Sequence, residues 1–376
     1  MSARRISIIE PVGGHGGMDF YDYGLASGIA TDNVEVTLYT CNETEERKYP
    51  NVVTSKAFGD VWKKSKLAKL RAFLRGYRSS FQDSKKNNTA IAHFHFFQIS
   101  WLNLIVLRMA KRYSFKKVLT LHDVDPLVNK ASSRLHRLTY KLVDQVIVHN
   151  EFSRKELAQK EISSDKITVI PHGNYLPFIE NIKNSDSDSE MLRLLFFGQI
   201  KEMKGLDVLL EALGIALQTK STIHLTIAGR PWHTESEVYA ELIKKLRLEQ
   251  HVKTVLEYIP NDDVADYFAN CDLVVLPYKR IYQSGVLLLA MSYGKPCLTS
   301  DLEPFSEIIE DGENGFLFRS ESANDLSRVL LAIEGQKSKL KEASNSAFLL
   351  LKDKYDWKII GERTRTLYAQ LLDQNN

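Results

Sequence analysis

Short apolar runs alternate with longer stretches of helical spacing along the whole chain. Ile6–Ile9, Val34–Tyr39, Ala90–His95, Val118–Leu121, Gln145–Val148 and Ile167–Ile170 have the length and β-branched content of strands. Leu192–Phe197, His224–Ala228, Val252–Tyr258, Leu273–Leu276 and Phe316–Phe318 repeat the pattern further on. Between them, apolar positions spaced three and four apart predict helices over Met18–Ile29, Trp62–Phe81, Trp101–Tyr113, Ser132–Leu142 and Phe152–Gln159, the last capped by Asn150 or Ser153. More follow after Gly205 and Ser284 and over Ser236–Arg247, Asp262–Asn270, Glu303–Ile309, Asn324–Glu334, Lys337–Leu351 and Lys358–Leu372. Strands without polar alternation, each followed by a helix, are what a parallel sheet covered on both faces requires.

The alternation breaks once. Asn184–Glu190 holds no apolar residue and reads as a linker. The chain therefore divides into two Rossmann-like α/β domains, 1–180 and 191–355, expected to face each other across a ligand cleft. The last helix, 356–376, is expected to complete the first domain. A length of 376 residues agrees with two cores rather than one.

Composition narrows the classes. Hydrophobic residues are 44% and charged residues 26%, a globular mix, and the net charge of +3 does not suggest nucleic-acid binding. Cys41, Cys271 and Cys297 are far apart with no metal-ligand spacing, so buried thiols in a reducing compartment are expected. No apolar run approaches the ~20 residues of a membrane span, and Met1–Arg5 leads into a strand rather than a signal peptide. A cytoplasmic protein is expected. Trp62–Phe81 adds a surface: Leu67, Leu70, Leu74, Tyr77 and Phe81 form one stripe, and Lys63, Lys64, Lys66, Lys69, Arg71 and Arg75 fill the rest. Such a basic amphipathic helix fits an anionic membrane or a lipid-phosphate acceptor; packing on its own domain is the alternative.

Candidate chemistry lies at the carboxyl ends of strands, where open α/β sheets bind ligands. Gly13-Gly14-His15-Gly16-Gly17 permits close backbone approach to a ligand, but Asp19 stands where the dinucleotide fingerprint needs its last glycine. His122 and Asp123 follow a strand directly and are the best-placed titratable groups of the first half. With Asp125 they match no familiar metal site, and no metal is expected. In the second half, Ser284 is a good N-cap, and the amides of Ser284, Gly285 and Val286 form an anion site. Lys201, Lys204 and Arg230 sit at strand ends on the same side, suited to neutralise a diphosphate.

Together these segments resemble glycosyltransferase family 4, across nearly the whole chain. Gly16-Gly17 with Leu25-Ala26 resembles the family's opening glycine pair and helix. Gly198-Gln199-Ile-Lys201-Glu-Met-Lys204-Gly205 is similar to its G-R-x-x-x-x-K-G donor motif. Ala290–Pro296 resembles A-M-A-x-G-x-P, and Glu307–Gly315 resembles P-E-x-x-x-D-G-x-x-G with Ser306 in place of proline. The resemblance implies the GT-B fold and transfer of a sugar from a nucleoside diphosphate donor to a hydroxyl acceptor, a lipid-linked saccharide in surface polysaccharide or glycolipid synthesis. It implies that Lys204 and the Ser284–Val286 amides hold the diphosphate, that Gly16 and Gly17 lie against the donor or acceptor, and that His122 contacts the donor sugar without a metal. Two departures stand out. Gln199 replaces the motif's arginine, and Ile281 and Leu289 occupy the places of two glutamates that touch the donor sugar and the ribose. Retention of anomeric configuration therefore does not carry over, and inversion would need a base among Asp19, His122 and Asp123. The lost glutamates also leave open a non-catalytic nucleotide-sugar-binding subunit, or another GT-B enzyme such as an epimerase.

Overall fold

The computed structural model describes residues 4–14, 17–125, 133–160, 162–179, 191–219, 221–232 and 235–373. Two compact units emerge: Met1–Gly173 with Lys354–Asn376, and Asn174–Asp353. The expected linker, Asn184–Glu190, lies outside the described residues.

The first unit is built on β1 (Arg4–Ile9), α1 (Met18–Ile29), β2 (Val34–Cys41), β3 (Val52–Gly59), α2 (Lys66–Lys86), β4 (Ile91–Phe96), α3 (Trp101–Ala110), β5 (Lys116–Leu121), α4 (Ser133–Tyr140), β6 (Gln145–Val148), α5 (Glu151–Ala158) and β7 (Ile167–Val169). All pairings are parallel, in the order β3-β2-β1-β4-β5-β6-β7. Ile6 pairs with Val36 on one side and Ile91 on the other, so β1 is central. β3 was not legible in the sequence: Val52–Gly59 is an edge strand, mostly half-buried or exposed, without the apolar run that marks its neighbours. The cap of α5 is Asn150, whose side chain accepts the Ser153 amide at 2.8 Å.

α13 (Trp357–Asp373) packs on α1, and glycine decides how closely. A Cβ on Gly361 would stand 1.9 Å from Gly28 O, and one on Gly28 2.0 Å from Trp357 O. The two backbones approach where only hydrogen fits. Tyr23, Leu25 and Ile29 of α1 are all buried.

The second unit runs β8 (Leu192–Phe197), α6 (Leu206–Ala216), β9 (Ile223–Ala228), α7 (Glu235–Lys245), β10 (Val252–Val255), α8 (Asn261–Ala269), β11 (Leu273–Leu276), α9 (Gly285–Ser292), β12 (Cys297–Ser300), α10 (Glu303–Ser306), β13 (Phe316–Phe318), α11 (Ala323–Ile333) and α12 (Lys337–Lys354). Its parallel sheet has the order β10-β9-β8-β11-β12-β13. Leu209, Leu210 and Leu213 of α6 join Leu326, Leu330 and Ile333 of α11 over Leu194, Leu225, Leu273 and Leu298. Each such leucine contributes about 1.5–3 kcal/mol on burial. Cys41, Cys271 and Cys297 are free and buried.

Both sheets start centrally, grow one way, then return to grow the other way. The order reverses between β1 and β4, and between β8 and β11. A crevice opens at the carboxyl ends of the strands at such a point.

Candidate functional site

In the second unit the chain after β8 turns at Gly198, whose φ is +98°. A short 3-10 turn, Glu202–Lys204, ends at Gly205 with φ +66°. A Cβ on Gly205 would lie 1.9 Å from Pro277 O, so this glycine lets the loop close on the end of β11. The Lys279 amide bonds Met203 O at 2.8 Å and fastens that closure. Lys204 is thereby carried to Tyr278: its Nζ donates to the phenol oxygen at 3.0 Å and lies 4.8 Å from the ring centre.

α9 begins beside it. Ser284 Oγ accepts the Leu287 amide at 3.2 Å, leaving Gly285 and Val286 in the first turn, where amides precede the helical ladder. A Cβ on Gly198 would stand 3.3 Å from Val286 Cγ2 and 3.8 Å from Lys204 Nζ. The structure thus brings Gly198, Lys204 and the start of α9 into one place. Gln199 and Lys201 lie on the same loop. Ile200 N bonds Arg230 O at 3.0 Å and Trp232 N bonds Ile200 O at 2.9 Å, tying this loop to the one after β9. Lys201 Nζ sits 4.7 Å over the Trp232 ring, and the Arg230 side chain is exposed. Lys279, a further cation near this loop, is neutralised by Asp207 at 2.6 Å. Ile281 and Leu289 are both half-buried and supply no charge here.

In the first unit the reversal between β1 and β4 holds a buried polar cluster. Glu10 follows β1 and accepts the Val12 and Gly13 amides, each at 2.7 Å. Its carboxyl is pushed well up by burial and by Asp22 nearby. Asp22, also fully buried, is raised by burial and pairs with His95 Nδ1 at 2.8 Å. Burial thus biases both carboxyls toward their protonated forms. Gly17 caps α1 with φ +77°; Gly16 lies outside the described residues. Asp19, buried in the first turn of α1, is held above its usual range by burial.

Four strands in a row deliver a histidine at their carboxyl ends: His95 in β4, His122 after β5, His149 after β6 and His172 after β7. Tyr21 of α1 is the hub, with ring centres 5.1, 4.9, 5.4 and 4.9 Å from them in that order and Trp357 of α13 at 5.4 Å. His93, one pleat below His95, is bonded at 2.7 Å to both Tyr368 and Thr120. Burial drives His95 and His149 down to about 3 and His172 to about 4, and lowers His122 strongly. These imidazoles are neutral hydrogen-bonding groups. Among the described residues no group of His, Cys, Asp or Glu could hold a metal.

Asp123 is half-buried, and its amide bonds Phe97 O at 2.8 Å. Asp125, two residues on, is buried and paired with Lys160 at 2.7 Å. Sequence reasoning found His122 but missed Glu10, Tyr21, Asp22, His149 and His172. The signal was a histidine recurring at the end of each successive strand.

Lys63, Lys64, Lys66, Arg71 and Arg75 are exposed, and Lys69 stacks 3.7 Å from the Trp62 ring centre. The apolar stripe of α2 splits. Tyr77 and Phe81 enter the core, whereas Leu67 and Leu70 remain 74% and 43% exposed.

The glycosyl transferases group 1 family matches residues 177–348, and glycosyltransferase family 4 matches residues 15–174. A GDP-mannose:glycolipid 4-beta-D-mannosyltransferase of Xanthomonas campestris is 27% identical over 207 residues, covering 55% of this chain and 56% of that enzyme. The match thus spans little more than half of that relative's length. Sucrose-phosphate synthase from Thermosynechococcus elongatus superposes with a TM-score of 0.76 at 17% identity, covering 99% of this chain and 100% of that one. Anabaena HepE, solved with UDP and glucose, gives 0.71 at 18% identity, covering 98% and 100%. Two parallel sheets that each reverse once, and family matches that together run from residue 15 to residue 348, agree: the chain belongs to glycosyltransferase family 4 and has the GT-B fold.

Proposed function

We propose that the protein transfers a sugar from a nucleoside diphosphate sugar to a hydroxyl of a lipid-linked saccharide. The observation that carries this is the meeting of Lys204, Gly198 and the start of α9 at the reversal between β8 and β11. An ammonium and unpaired helix amides there would neutralise a diphosphate as it leaves, the charge that a metal supplies in other transferases. Gln199, Lys201 and Arg230 line the approach. The second unit is then the donor domain and the first the acceptor domain, with His122 and Asp123 its candidate catalytic groups. The named relatives support the substrate classes: one is a GDP-mannose:glycolipid transferase, and HepE was solved with UDP and glucose.

The acceptor's lipid would bring the protein to a membrane. No described helix is long and apolar enough to cross one. The exposed Leu67 and Leu70, set among Lys63, Lys64, Lys66, Lys69, Arg71 and Arg75, suit peripheral binding to an anionic surface. The direct test is transfer from radiolabelled UDP- and GDP-sugars to lipid extracted from membranes. Failure with every common donor would overturn the proposal.

A further inference from the structure

The histidine cluster contains a one-way chain of hydrogen bonds. His149 Nδ1 lies 3.0 Å from Ile170 O, and a carbonyl oxygen only accepts. His149 therefore carries its hydrogen on Nδ1, and burial keeps the ring neutral. Its Nε2 is then a lone pair. That nitrogen lies 3.1 Å from His122 Nδ1, which must be the donor. His122 is neutral as well, so its own Nε2 has no hydrogen. Among the described residues this Nε2 is buried without a partner, on a residue only 5% exposed. A buried acceptor left unmade costs free energy, and a bound hydroxyl would recover it.

We infer that His149 is a positioning residue, fixing His122 as the Nδ1–H tautomer so that His122 Nε2 accepts a hydrogen bond from a hydroxyl of the transferred sugar. The anchor is the main-chain carbonyl at the end of β7, so the assignment is built into the sheet. The exposed ring of Phe97, 5.5 Å from the His122 ring centre, marks the side from which a sugar reaches it. The inference rests on the transferase reading for its substrate, but not for its tautomer.

The test separates the two. Nitrogen-15 spectra of histidine-labelled protein report which ring nitrogen is protonated. The wild-type protein is expected to show His122 protonated at Nδ1; protonation at Nε2 overturns the inference. His149→Leu removes the acceptor and is expected to move the proton of His122 to Nε2. His149→Gln can still accept from His122 and donate to Ile170, and is expected to retain Nδ1–H. An unchanged His122 tautomer in His149→Leu would also overturn it. Turnover is read as nucleoside diphosphate release from UDP-glucose and GDP-mannose. His149→Leu should lower kcat roughly tenfold, the scale of one lost hydrogen bond, with His149→Gln recovering most of it. If wild-type protein turns over no nucleotide sugar, the transferase reading fails and the spectra still decide the tautomer. Should His149→Leu fail to fold, the wild-type spectrum decides alone.

Discussion

Gly198→Ala tests the proposed diphosphate site with a single methyl group. The added carbon would stand 3.3 Å from Val286 Cγ2 and 3.8 Å from Lys204 Nζ, within the space a phosphate oxygen would use. Two effects follow, and they can be measured apart. The first is backbone strain: φ at Gly198 is +98°, and a side chain there costs about 1–3 kcal/mol. For a domain of this size that lowers Tm by roughly 2–4 °C per kcal/mol. The second is lost binding. Displacing the phosphate from Lys204 removes a charge-assisted hydrogen bond worth about 1.5–3 kcal/mol, or roughly 10- to 150-fold in Kd. Gly312→Ala is the control, because φ there is +80° and a new Cβ would meet nothing within 4 Å. Isothermal titration with UDP and with GDP reads the affinity, and calorimetric scanning reads Tm. Both alanine variants should lose stability, but only Gly198→Ala should lose nucleotide affinity. Lys204→Ala should lose similar affinity with little change in Tm. Equal nucleotide affinity in wild type, Gly198→Ala and Lys204→Ala would refute the diphosphate site.

Other expectations follow from the first unit. Glu10→Ala leaves the part-buried Val12 amide and the buried Gly13 amide unpaired, so it should destabilise by about 2–5 kcal/mol; a chemical denaturation midpoint equal to wild type would contradict the role given to Glu10. Five of the buried histidines, His93, His95, His122, His149 and His172, have depressed folded-state pKa values, so between pH 6.5 and about 4 the unfolded chain binds protons that the folded one refuses. Stability should therefore rise from pH 5 to 6.5 and be lost on acidification. Glu10 and Asp22, raised by burial, act in the opposite sense, and Glu10→Gln should steepen the rise; a flat Tm against pH would count against the cluster. Replacing Lys63, Lys64, Lys66 and Lys69 by glutamate should weaken sedimentation with phosphatidylglycerol vesicles without changing Tm, and unchanged sedimentation would remove the membrane reading. Gly361→Ala should destabilise by at least about 1–3 kcal/mol, since the methyl meets Gly28 backbone rather than a movable side chain.

The alternation of apolar runs and helical segments was enough to determine two parallel α/β sheets, because a strand buried on both faces must be apolar throughout and its crossover must be a helix. Local rules also read Ser284 as a cap and a helix beginning after Gly205, since both depend on neighbours in sequence. Strand β3 escaped, being an edge with little to bury. The stripe of α2 was legible, but not its division into buried Tyr77 and exposed Leu67, which depends on where the sheet ends beneath the helix. Only the tertiary structure gathered Glu10, Asp22, His95, His122, His149 and His172. They come from six separate segments, and the order in which strands join a sheet is not written in any one of them. The same holds for Gly361 against Gly28: each is an unremarked glycine in its own helix, and becomes necessary only where two backbones cross.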